Sequence, residues 1–112
     1  MNHICHIEIP VTDLEQAKRF YQQLFGWQID ILPDNHYALF PGGGFRRVNK
    51  VERGGITPYF QVEKLKQYID KVALIGGRIL VKNETAGNRG RCAFIQDPDG
   101  NVIGLYEENK SK

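Results

Sequence analysis

The feature that most restricts this chain is a repeat. Adding 51 to positions around the first helical stretch lands on like residues: Val11 on Val62, Leu14 on Leu65, Tyr21 on Val72, Leu24 on Ile75 and Gly26 on Gly77. Each half then reads as strand, helix, glycine stop and further strands. Within 112 residues, two copies of one supersecondary unit imply two half-domains that complete each other's core. The expected organisation is one domain over 1–112, with modules of about 1–53 and 54–112 and a linker over Asn49–Gly55. Pairing of such halves creates a cleft, so the repeat bears on function as well as fold.

Local patterning fills in the elements. Residues 3 to 9 read as a strand ended by Pro10, with Cys5, Ile7 and Ile9 on one face and Ile4, His6 and Glu8 on the other. Thr12 and Glu15 have capping-box spacing for a helix whose apolar face is Leu14, Ala17, Phe20, Tyr21, Leu24 and Phe25, closed by Gly26. Strands are expected over Trp27–Leu32, His36–Phe40 and about Gly44–Val48, with a Pro33-Asp34-Asn35 turn. In the second half, strands are expected over Ile56–Val62, Arg78–Lys82, Arg91–Gln96 and Asn101–Glu107. A helix over about Lys64–Leu74 should turn Leu65, Ile69, Val72 and Ala73 inward. Asn83–Gly90 reads as a polar loop, Asp97-Pro98-Asp99-Gly100 as a hairpin turn, and Glu108 onward as a charged tail.

Composition excludes several function classes. A net charge of +2 is too small to argue for nucleic acid. No apolar run approaches the roughly 18 residues that span a membrane, and the start of the chain has no signal-peptide pattern, so a cytoplasmic location is expected. Gly42-Gly43-Gly44 lacks the Lys-Ser/Thr of a phosphate loop. The basic stretch Arg46, Arg47, Lys50 and Arg53 reads as a charged loop or edge strand, with an anion-binding rim as the alternative. Cys5 and Cys92 have no metal-ligand spacing and are expected to be free, buried thiols in strands.

Two segments, "HIEIPVTDLEQAKRFYQQLFGW" and "GGRILV…CAFIQDPDGNVIGLYE", resemble the vicinal oxygen chelate superfamily of glyoxalase I, extradiol dioxygenases, fosfomycin-modifying enzymes and bleomycin resistance proteins. The resemblance covers nearly the whole chain. It implies an α+β fold in which two βαβββ modules form a curved mixed sheet with a concave cleft and helices on the outer face. It also implies four metal-ligand positions, on the first and last strand of each module. His6 matches the first of these. The third falls on Thr57 and the fourth on Gly104, seven places after Asp97. The second belongs near Gly43–Val48, which holds no carboxylate or imidazole; Glu52 is the nearest carboxylate. Hydroxyl and glycine do not suit a transition metal, so no cofactor is expected, with a divalent metal kept as an alternative.

Strand parity anchored on those positions selects His6, Glu8, Thr57, Tyr59, Gln61, Val102, Gly104 and Tyr106 as cleft-lining. The leading expectation is a protein that binds a small organic molecule there without a catalytic metal. The alternative is a glyoxalase-related lyase or isomerase, with or without a metal, in which Glu8 acts as a base of raised pKa and His6 as its partner. A third class is a subunit whose cleft serves dimer contacts only. The small core and the apolar Trp27, Ile29 and Ile31 suggest a homodimer.

Overall fold

The computed structural model describes residues 2–52, 54, 56–85 and 88–109. Arg53 and Gly55 of the expected linker, Ala86 and Gly87 of the polar loop, and the last three residues of the charged tail lie outside them. Two compact units divide the chain, Met1–Glu52 and Arg53–Lys112.

The first unit runs β1 (Ile7–Val11), α1 (Leu14–Phe25), β2 (Asp30–Ile31), β3 (Tyr37–Phe40) and β4 (Gly43–Arg47). Its sheet has the order β1-β4-β3-β2. β1 lies parallel to β4, and the other pairs are antiparallel. Pro10 does not end β1 but sits inside it. As an edge strand, β1 turns residues 7, 9 and 11 toward β4: Ile7 N–H donates to the Gly42 carbonyl and Val48 N–H donates to that of Val11. Residue 10 faces outward, where a missing N–H costs no ladder bond. Because the strand continues to Val11, the helix starts later than the capping box suggests. Asp13, in extended conformation, is the cap, and its carboxylate accepts from Gln16 N–H at 3.1 Å. Gly26 closes the helix at φ 72°, in the left-handed region.

The face of α1 packs on β4 through rings. Tyr21 lies 4.9 Å from Phe45, Phe40 lies 4.7 Å from Phe45, and Trp27 stacks on Phe40 at 4.6 Å. Ile29 is therefore buried in this unit's own core and Trp27 is half-buried against its rings, so neither is a surplus apolar surface. The expected strand at Trp27–Leu32 shrinks to two residues for the same reason: its aromatic end wraps the helix terminus. β4 is an interior strand, so Arg46 and Arg47 are not edge charges.

The second unit repeats the topology: β5 (Tyr59–Gln61), α2 (Leu65–Val72), a 3₁₀ turn (Ala73–Ile75), β6 (Arg78–Thr85), β7 (Gly90–Gln96) and β8 (Val102–Glu108). The order is β5-β8-β7-β6, with β5 parallel to β8. Leu65, Ile69 and Val72 are buried as expected. Ala73 is exposed, because the chain tightens into the 3₁₀ turn after Val72 and rotates that position outward. β6 runs three residues past its expected end at Lys82, with register shifts against β7.

The hairpin between β7 and β8 forms as its sequence implies. Asp97, only 4% exposed, accepts from the backbone N–H of Asp99 and Asn101 and from the Asn101 amide. Cys92 is buried, and burial pushes its thiol pKa up. Cys5 is exposed and precedes β1, contrary to the expected buried strand position; both thiols are free. Among the described residues no helix is long and apolar enough to cross a membrane.

Candidate functional site

In each sheet the alternation of side chains separates a helix-covered face from an open one. On the first sheet Ile9, Val11, Ala38, Phe40 and Phe45 face α1 and are buried. The open face carries His6, Glu8, Tyr37, Leu39 and Arg46, because Glu8 is level with Gly44, Tyr37 with Arg46, and Leu39 with Gly44. Two polar contacts order this face. Arg46 Nε donates to Glu8 Oε1 at 2.8 Å. His6 Nε2 and the Tyr37 hydroxyl are hydrogen-bonded at 2.8 Å, with their rings near parallel.

The electrostatics run opposite to the sequence expectation for Glu8. Its carboxylate lies below its ordinary range, chiefly because Arg46 hydrogen-bonds it, and the Tyr37 hydroxyl adds to the effect. Burial and the Glu8 carboxylate push Tyr37 up, so its phenol stays protonated. Glu8 is thus an ionised acceptor held by Arg46, not a base of raised pKa. His6 hydrogen-bonds Tyr37 and not Glu8; the Tyr37 hydroxyl lies near enough to the Glu8 carboxylate to lower its pKa.

On the second sheet the open face carries Tyr59, Gln61, Val102, Gly104 and Tyr106, and Ile103 and Leu105 face the helix fully buried. Parity therefore sorts these residues as the sequence reading expects. Thr57 precedes β5 and is half-buried. Tyr106 donates its hydroxyl to the Arg89 carbonyl at 2.9 Å, and Gln61 Nε2 donates to Glu108 at 3.3 Å. Tyr59 is 54% exposed and meets Phe94 edge-on at 5.6 Å.

A common device appears on both open faces. Glu8 pairs with Gly44 across β1 and β4, and Tyr59, at 8 + 51, pairs with Gly104 across β5 and β8. Each glycine has a tyrosine ring laid over it. A Cβ at Gly44 would collide with the Tyr37 ring, and one at Gly104 would lie 2.6 Å from that of Tyr59. Gly104, where the resemblance implies a ligand, and Gly44, its counterpart by register on β4, therefore hold no side chain, and aromatic rings fill the space above them. His6 is engaged by Tyr37 and Glu8 by Arg46. Among the described residues no three His, Cys, Asp or Glu side chains are grouped to share a metal. The donor set does not fit the divalent metal that the resemblance implies.

Sequence reasoning missed Tyr37 and saw Arg46 only as part of a charged stretch, not beside Glu8. The alternation of Tyr37-Ala38-Leu39-Phe40 would have placed Tyr37 opposite the core residues Ala38 and Phe40. Arg46 needed the β1–β4 register, which no local signal carries.

Comparison with known proteins gives four matches. The family described as bleomycin resistance protein-like N-terminal matches residues 3–43. A glyoxylase-like domain-containing protein of Didymella fabae is 31% identical over 88% of this chain and 88% of its own length. The Mycobacterium tuberculosis protein CFP32, described as a glyoxylase, is 30% identical over 93% of this chain but only 45% of its own, so this chain spans about half the length of that relative. Among solved structures, the fosfomycin resistance protein FosX of Listeria monocytogenes superposes with a TM-score of 0.79, covering 98% of this chain and 96% of FosX at 18% identity.

Proposed function

This chain belongs to the glyoxalase-like family of the vicinal oxygen chelate superfamily, and from that premise we propose that it binds a small organic molecule on the open face of its first sheet without a metal ion. One observation carries this reading: Gly44, on the strand where the resemblance implies the second ligand, is covered by the Tyr37 ring, which is itself tied to His6. FosX has been crystallised with Mn(II) and 1S,2S-dihydroxypropylphosphonic acid. In this chain aromatic rings and an arginine–carboxylate pair stand where such a centre would need ligands. They suit a partly aromatic, polar molecule that stacks on Tyr37 and hydrogen-bonds His6, Arg46 or Glu8. Tyr59, Gln61, Val102 and Tyr106, with Thr57 nearby, offer a comparable surface on the second sheet.

The test is a small-molecule screen by thermal shift, run with chelator and with added divalent metals. Binding stabilises the folded state by about 2.7 kcal/mol at a hundredfold excess over Kd, and the shift should be the same in both arms. A shift that requires metal, or about one equivalent of metal per chain that disappears in His6→Ala, would overturn the proposal.

A metal-free lyase or isomerase is the second reading, favoured by the His6–Tyr37 hydrogen bond beside the ionised Glu8. In this reading the ionised Glu8, which can only accept, draws the Tyr37 hydroxyl proton toward it, and the Tyr37 oxygen accepts from His6 Nε2–H. Neutral His6 then keeps its lone pair on Nδ1, where it can take a proton from a bound substrate. Nitrogen NMR should find neutral His6 in the Nε2–H form in the native protein and a mixture in Tyr37→Phe. An Nδ1–H form in the native protein removes this reading.

Self-association and a cytoplasmic setting complete the proposal. Leu80 and Val81 lie substantially exposed on the edge strand β6, and both cysteines are free thiols. Sedimentation at tens of micromolar tests the dimer.

A further inference from the structure

The helix-covered face of the second sheet has a feature that the first reading does not use. α2 has only eight residues, and the sheet beneath it is built on strands of seven and eight. Beside the helix this leaves a cavity of about 310 Å³ against β6 and β7. That volume is at the small end of the range for small-molecule pockets. Its floor is apolar, formed by Leu65 and Ile69.

The charges around it do not balance. Lys66, Lys82 and Arg91 face Asp70 and Glu107. Both carboxylates are already engaged: Lys66 Nζ donates to Asp70 at 3.1 Å, and Leu65 N–H donates to Glu107 at 2.8 Å. Among the described residues Lys82 and Arg91 have neither an ion pair nor a side-chain hydrogen bond. They come from neighbouring strands and share one cavity with an apolar floor, one positive charge in excess. Asn83, also at the rim, adds an amide donor.

We propose that this cavity binds a small amphipathic monoanion: a carboxylate or sulfonate head between Lys82 and Arg91, with a compact apolar body over Leu65 and Ile69. The head supplies the missing charge, and Arg91 can hold both of its oxygens at once. The apolar body gains from leaving water. An inorganic anion would lack the second contribution, and a neutral alcohol the first. The site shares no residue with the open face of the first sheet.

The probe is octanoate, titrated into the full chain and followed by calorimetry and methyl NMR, with octan-1-ol and inorganic phosphate as controls. Octanoate should bind about tenfold or more tighter than either control. It should shift the Leu65 and Ile69 methyls and bind more weakly as salt rises. Lys82→Gln and Arg91→Gln should each weaken it about three- to tenfold, and the double variant more. Both side chains are exposed, so circular dichroism should show an unchanged fold. His6→Ala and Tyr37→Phe should leave octanoate affinity unchanged, which separates this site from the proposed function. Absence of octanoate binding at 10 mM (about the weakest affinity such a site could usefully have), native affinity in the double variant, or equal affinity for octan-1-ol would overturn the proposal.

Discussion

The two units share one topology but differ in how they are held together. At the equivalent positions 13 and 64, the first unit has an aspartate that caps its helix and the second a lysine that makes no side-chain cap bond. The first helix runs twelve residues and ends in a left-handed glycine; the second runs eight and tightens into a 3₁₀ turn. The first unit fills its core with stacked rings; the second packs aliphatic side chains and leaves a groove beside its helix. The same strand order therefore sets the frame without setting the packing. Where packing is complete, the free surface is the open sheet face; where the helix is short, a second concavity appears on the covered face.

Core truncation should probe that contrast most strongly. Phe45→Ala removes a fully buried ring between Tyr21 and Phe40 and should cost about 3–5 kcal/mol in urea denaturation. Ile69→Ala should fall toward the lower end of about 2–5 kcal/mol, because side chains beside the groove can relax into the gap. Equal losses would break the comparison.

Glycine substitutions come next. A Cβ at Gly43 would strike the Ile7 carbonyl and lie 2.8 Å from Phe40, so Gly43→Ala should cost about 1–3 kcal/mol. At Gly104 the atoms nearest a Cβ belong to the ring of the exposed Tyr59, which can swing aside, so Gly104→Ala should cost less than about 1 kcal/mol. Denaturant midpoints of the two variants decide the order.

The caps should respond with opposite signs. Asp13→Ala should lose about 1 kcal/mol with the bond to Gln16, whereas Lys64→Ser should gain a few tenths by adding an N-cap side-chain bond to the one Glu107 already makes with the Leu65 N–H. A gain at both positions, or a loss at both, would show that the helices are held in the same way.

The smallest effect is expected at Glu8. Its pair with Arg46 is about half exposed, so Glu8→Gln should cost no more than about 1 kcal/mol at neutral pH. Its carboxyl pKa is depressed in the folded state. The contribution is therefore present above the ordinary value near 4.5 and lost as pH falls through the folded value. The difference between native and Glu8→Gln midpoints should close at strongly acidic pH; a difference that widens there would reverse the sign of the Arg46 effect.

The sequence by itself determined the repeat, the element order, the apolar faces of both helices and the Asp97 hairpin. These depend on spacing and on the backbone preferences of single residues, such as Gly26 at a helix end. It also sorted the β5 and β8 side chains correctly between the two faces, because alternation along a strand is a local property. Tertiary structure decided what those faces do. Only the β1–β4 register brings Arg46 to Glu8, and only the β3–β4 register lays Tyr37 over Gly44. Those pairings turn an expected base into a held carboxylate and give His6 Tyr37 as its hydrogen-bond partner in place of Glu8. Trp27, expected as surplus surface, is instead half-buried between Tyr21 and Phe40, whose rings it stacks on. Register and ring packing involve residues far apart in the chain, and no pattern within a single segment encodes them.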